Sequence, residues 1–170
     1  MNVNFINKEK IVSRIGTEVF EHLRRIPQDI RPDDATKRPG MEILLRVINT
    51  RELLDVPIYN PLPFAKFLAA EKSVRTETLA HKTSQDSEDI PNLKFAGCVS
   101  IYIGDEEIHA SISGLKGGAE DAVAAIIVLS AAVDVPIDNI IEEIQRDCGA
   151  LPKEMFQPDH YLYQLLEEYK

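Results

Sequence analysis

A chain of 170 residues, 44% hydrophobic and with a formal charge of -9, can bury one good core, and its length favours one domain over two. The acidic balance argues against a nucleic-acid surface, which needs clustered Lys and Arg, and no apolar run reaches the length of a membrane span. The start, Met1 to Lys8, lacks the basic and apolar regions of a signal peptide, so the default reading is cytoplasmic, with neither nucleic acid nor membrane as a partner.

Ile11, Val12, Ile15, Val19, Phe20, Leu23 and Ile26 recur at helical spacing, with charged residues on the opposite side, and Pro27 ends that helix. Gln28 to Gly40, with Pro32, Asp33, Asp34, Pro39 and Gly40, reads as a surface loop. Met41 to Asn49 and Leu53 to Tyr59 are strand-like runs around a short polar turn, and Pro57 places the second at a sheet edge. Pro61 and Pro63 open a second helix, expected to reach about His81 and to bury Phe64, Phe67, Leu68, Val74 and Leu79. On that helix Lys72 and Arg75 either hold a carboxylate or, beside Glu71 and Glu77, form solvated pairs, the commoner case for exposed basic residues. Lys82 to Asn92 is a polar loop with nothing to bury, predicted to be mobile.

The stretch from Phe95 to Leu129 organises the rest. Val99, Ile101 and Ile103 alternate with Cys98, Ser100 and Tyr102, and Ile108, Ala110 and Ile112 with His109, Ser111 and Ser113. Gly104-Asp105 between the runs predicts a tight antiparallel hairpin with positive dihedrals at both turn residues. Ala122 to Val133 is apolar on nearly every side, which marks a helix covered all round. A helix from Ile137 to Cys148 follows, and a short one from Asp159, its expected N-cap, to Tyr169. The acidic segment after Asp134 reads as a C-terminal helical extension of residues 134–170, packed on the same domain or on a partner subunit.

No cluster of His, Cys and carboxylates has metal-ligand spacing, and Cys98 and Cys148 have no framework of partners, so both read as free thiols. Gly114-Leu115-Lys116-Gly117-Gly118 is a glycine-rich entry to a helix, where backbone amides and the helix dipole attract anions. Its spacing is not that of a P-loop, and Glu120 and Asp121 in the first helical turn would repel a phosphate, which favours a turn needed for close packing. His109, Ser111, Ser100 and Ser113 share one face of the hairpin, either a small polar pocket or a solvent-facing side. Ser111-Ile112-Ser113-Gly114 lacks the leading glycine of a nucleophile elbow, and no orienting carboxylate is apparent for His109, so no catalytic residue is assigned.

The order helix, two strands, helix, loop, hairpin, helix resembles the profilin-like arrangement of the GlcG/HbpS (haem-degrading-like) family. Ala70 to Thr76 is similar to that family's basic, Thr-containing stretch, Phe95 to Ile101 to its glycine-rich strand entry, and Ser111 to Leu115 with Glu120-Asp121 to its terminal motif. His81-Lys82-Thr83-Ser84 is similar to a basic-Ser-Ser segment of the same superfamily. The likeness covers roughly Ile11 to Val133. This chain departs from it at Asn49 to Glu52 in the first hairpin and at Gly97, which stands alone where the family has three glycines.

The resemblance implies an α+β class, a profilin-like antiparallel sheet packed by helices over residues 1–133, and homo-oligomers. It also connects some members with haem, cobalamin-related molecules or small acids, although no axial His or Cys carries over for haem and the cofactor stays unknown. The resulting expectation is a homo-oligomeric small-molecule-binding protein whose ligand pocket lies between the second helix and the hairpin, with Arg75, His81, Gly97, Cys98, Ser111, Ser113 and Gly114 as candidates. The alternative is a structural or adaptor protein whose acidic C-terminal helices bind a protein partner.

Overall fold

Two antiparallel hairpins meet side by side to form the sheet. β1 (Gly40–Val47) pairs with β2 (Glu52–Tyr59) through one tight turn, β3 (Cys98–Ile103) pairs with β4 (Glu106–Ser113) through another, and β4 lies against β1, giving the order β2-β1-β4-β3. A computed structural model describes residues 5–33 and 38–170; Asp34, assigned above to the surface loop, and Met1 to Asn4 lie outside the described residues. Pro57 falls on the edge strand β2, where its missing N–H interrupts no ladder. In the turn between β3 and β4 only Gly104 has a positive φ, 62°, and not Asp105 as well.

Alternation along these strands gives the sheet two unlike faces. Met41, Ile43, Leu45, Val56, Ile58, Val99, Ile101, Ile108, Ala110 and Ile112 point to one side and join a single apolar core. α1 (Glu9–Arg25) lays its buried stripe on this side, and α3 (Gly118–Val133) runs beside it, buried all round as its sequence predicts. α4 (Ile137–Arg146) and α5 (Tyr161–Tyr169) cover α3 from outside, and Ile140, Ile144, Leu162, Leu165 and Leu166 belong to the same core. The N-cap of α5 is His160 rather than Asp159: its ring nitrogen accepts from the Leu162 amide at 3.1 Å. Among the described residues no single helix is long and apolar enough to cross a membrane.

The opposite sheet face carries Glu42, Arg46, His109, Ser111, Ser113, Cys98 and Ser100, and α2 (Pro63–Thr78) covers it. This decides between the two readings of the hairpin's polar face and corrects the reading of α2. The polar face of the hairpin does not face solvent, and α2 is turned over relative to its large apolar residues. Its buried stripe is Ala65, Ala69, Lys72, Ser73 and Thr76, whereas Phe64, Phe67, Val74 and Leu79 stand exposed, Phe67 at 77%. The chemistry of the sheet explains the choice. A face of hydroxyls, an imidazole and a carboxyl needs hydrogen-bonding partners when covered, and small residues with Lys72 and Ser73 supply them at close approach, where two Phe rings would leave the polar groups unsatisfied.

The segment Lys82 to Asn92, read above as having nothing to bury, does bury residues and is tied to the sheet. Thr83 forms a bridge with Val99 on the outer edge of β3, the Ser100 amide donates to the Lys82 carbonyl at 2.8 Å, and Thr83 and Ser84 are buried. Two short 3-10 turns, Ser84–Ser87 and Ile90–Asn92, complete it. Its role is to shield an edge strand.

Candidate functional site

Lys72 and Arg75 are not solvated. Lys72 is 1% exposed, and its Nζ donates to Asp121 Oδ2 at 2.7 Å and to the Ile112 carbonyl at 2.6 Å. Arg75 keeps its predicted pair with Glu71 but also donates to the carbonyls of Ser84, Ser87 and Phe95, so it clamps the 82–95 segment to α2. Gly97 sits at φ 122°, and a Cβ there would meet Asp121 and stand 2.9 Å from both Lys72 Nζ and the Ile112 carbonyl oxygen. The solitary glycine thus makes room for the buried ion pair.

At the hairpin face, His109 is fully buried. One ring nitrogen lies 2.9 Å from Glu107 Oε1 and the other 3.1 Å from Ser73 Oγ, while Arg46 also donates to Ser73 at 2.9 Å. Glu107 is an orienting carboxylate missed above, although the alternation that groups His109, Ser111 and Ser113 also puts Glu107 on their strand face. Burial works against the imidazolium, yet contacts with Cys98 and Glu107 outweigh it and raise the histidine to about 9; the His109 hydrogen bond in turn holds Glu107 down at about 2. His109 is sealed under α2, so this Ser-His-Glu chain braces the sheet face from within the fold. The charged form contributes stability fully below the unfolded histidine value near 6.5, and loses it as pH rises through about 9. His109→Gln is therefore expected to flatten the fall in stability between those limits, measured by urea denaturation at several pH values.

A second polar group lies at the other edge of the same face. Burial, then a proton shared with the neighbouring Asp55, raises Glu42 to about 7. Asp55 is held below its ordinary value: burial opposes this, but hydrogen bonds with Glu42 and Lys66 prevail. Asp55 Oδ1 is buried and has no hydrogen-bond partner among the described residues, so a proton held on Glu42 relieves the repulsion between the two carboxyls. The folded chain therefore binds a proton here that the unfolded chain releases near 4.5, and stability falls as pH rises from there through about 7. Glu42→Gln, which donates without titrating, is expected to gain on the order of 2 kcal/mol at pH 8 and almost nothing near pH 4.5 in the same assay.

The cleft of interest opens where α2, the Leu93 to Phe95 segment and the turn into α3 converge. It has a volume of about 470 Å³ and is walled by Phe64, Leu68, Leu93 and Phe95 on one side and by Ser113, Gly114 and the Lys116 to Gly118 turn on the other. Arg38 and Lys72 border it. Of the seven candidates, Ser113 and Gly114 line this cleft; Ser111 donates to the Ala69 carbonyl at 2.7 Å beneath α2, Cys98 is buried, and Gly97 and Arg75 build its supports. His81 follows the end of α2, with its Nδ1 buried and unpartnered among the described residues, and does not reach the cleft.

Glu120 and Asp121 are both buried at the start of α3, and neither caps the helix. Glu120 takes two hydrogen bonds from Arg31, one from the Tyr161 hydroxyl at 2.9 Å and one from the Lys116 amide at 2.9 Å. Asp121 accepts from Lys72 and, at 3.1 Å, from the Leu115 amide. Arg38 pairs with Asp33 and donates to the Leu115 and Lys116 carbonyls. Among the described residues no group of three or more His, Cys, Asp and Glu stands ready for a metal. The sequence matches no family model, and no curated protein or solved structure is significantly similar to it.

Proposed function

We propose that the chain is a cytoplasmic, homo-oligomeric small-molecule-binding protein of the GlcG/HbpS-like, profilin-like type, with the cleft between α2 and the α3 entry as its ligand site. The observation that carries this is the cleft itself: an apolar wall faces a polar turn over about 470 Å³, the size and mixture of small-ligand sites. The order of elements, with helices on both faces of an antiparallel sheet, supports the family kinship. Assembly draws its support from α2, whose outward Phe67 and Val74, with Phe64 at the cleft mouth, form an exposed apolar row. Haem does not fit the cleft as an axially ligated group, because its lining offers no His, Cys, Met or Tyr. The adaptor alternative gains little from the tail, whose apolar residues, Phe156 apart, pack in or against the chain's own core.

A metabolite library screened by thermal denaturation tests the site: at least one compound should raise the midpoint of the natural chain and fail to do so in Leu68→Trp, where the added ring fills the cleft. Shifts that persist in Leu68→Trp, or none at all, would contradict it. Light scattering that shows only monomer at micromolar concentration would remove the assembly.

A further inference from the structure

Resting on the cleft as the ligand site and on the assembly proposed above, we propose that the two are coupled: a second copy of this chain packs on the outward face of α2 about a two-fold axis, and Phe67 of the partner subunit closes the cleft mouth. The cleft is unfinished in one copy. Phe64 and Leu93 line it, yet they stand 56% and 66% exposed. A site that buries most of a small ligand needs those walls covered from outside. The polar sheet face takes the small-residue stripe of α2, so the aromatic stripe is left out of the chain's own core and is free to provide the cover.

Shape, area and charge commit the occupant to a second copy. Knob and hole lie side by side on one surface: Phe67, 77% exposed, sits in α2 between Phe64 and Leu68, which wall the cleft. Such a patch is self-complementary, because a two-fold that brings one copy's knob to the other's hole does the reverse as well. Leu62, Phe64, Phe67, Val74 and Leu93 leave apolar surface on the order of 500 Å², which with a polar rim approaches the roughly 800 Å² per partner of a standard interface. The chain carries -9, but the charges flanking this row along α2 are balanced within each copy: Lys66 pairs with Asp55, Arg75 with Glu71, and Glu77 with Arg46. Two such faces meet without like-charge repulsion, whereas a strongly basic or acidic partner gains nothing from them. An interface of this size is expected to dissociate at micromolar concentration, and any variant that removes the Phe67 ring frees the face.

Sedimentation velocity of the full chain, from nanomolar to about 100 µM, tests the face. A monomer–dimer equilibrium is expected, weakened by about a hundredfold or more in Phe67→Glu and unchanged in Phe156→Glu, which puts the same charge on an exposed ring of the tail. Both rings are exposed, so each variant should keep the thermal midpoint of the natural chain in dilute solution. Isotope-filtered NMR of a mixed sample, one copy labelled and the other not, reads the closed mouth: the unlabelled Phe67 ring should contact the labelled Leu68 and Leu93 methyls, and those contacts should vanish when the unlabelled copy carries Phe67→Leu. A natural chain that stays monomeric at the highest concentration contradicts the assembly together with this inference. A dimer that withstands Phe67→Glu keeps the assembly and overturns the α2 face, and one broken by Phe67→Glu but lacking the methyl contacts overturns the shared mouth. In all three cases the cleft is judged separately, by Leu68→Trp.

Discussion

A chain ending at Pro158 is expected to lose its cooperative thermal transition. Such a chain lacks α5, and with it Leu162, Leu165 and Leu166, all three buried in the core against α3. Full burial of a leucine contributes about 1.5–3 kcal/mol, so the three amount to about 5–9 kcal/mol, comparable with the whole stability of an ordinary domain. The truncation also strips the Tyr161 hydroxyl from Glu120, leaving that carboxylate with Arg31 and one amide. Circular dichroism during heating reads the result. A sharp transition at the full-length midpoint would mean that the last helix is a separable appendage, as the adaptor alternative requires.

The second large effect belongs to Lys72→Met, expected to destabilise by about 3–5 kcal/mol. The methionine packs where the lysine stem lay, but Asp121 is then left buried with the Leu115 amide as its remaining partner and the Ile112 carbonyl loses its donor. Burial already pushes the Asp121 carboxyl upward against the pull of Lys72. The double change Lys72→Met with Asp121→Asn should recover more than half of the loss, because the amide still accepts from Leu115 without a charge to strand. A cost under about 1 kcal/mol for Lys72→Met, by urea denaturation, would mean that the ammonium is solvated and that α2 lies otherwise on the sheet.

Periodicity made most elements legible. The stripe of α1, the alternation in β3 and β4 and the all-round apolar character of α3 each correspond to a burial pattern in the fold. Periodicity is ambiguous where two stripes compete on one helix, and α2 is that case. Phe64, Phe67 and Leu68 make one stripe; Ala65, Ala69, Lys72, Ser73 and Thr76 make another at equally helical spacing. Hydrophobicity alone favours the first. The deciding fact is the polarity of the sheet face beneath, and that requires knowing that β4 lies beside β1, which juxtaposes Glu42 with Ser113 and Arg46 with His109.

The same dependence on long-range pairing limited the site. Ser113 and Gly114 were reachable from their strand-to-helix turn, and the glycine-rich turn was visible as an anion-attracting feature. What the sequence could not show was that Arg31, from a loop 89 residues away, neutralises Glu120, or that Lys72 does so for Asp121. Without those partners the two carboxylates count as repulsive. With them, both carboxylates are paired inside the fold.

The orientation of α2 sets the burial of His109, the support of Lys72 and the existence of the cleft, and thiol labelling measures it directly. In a Cys148→Ser background, Phe67→Cys should react with a maleimide as fast as an unfolded peptide, while Ala69→Cys should react slower by about two orders of magnitude or more. Fast labelling at position 69 with protection at position 67 would put the large apolar residues against the sheet and contradict the whole arrangement.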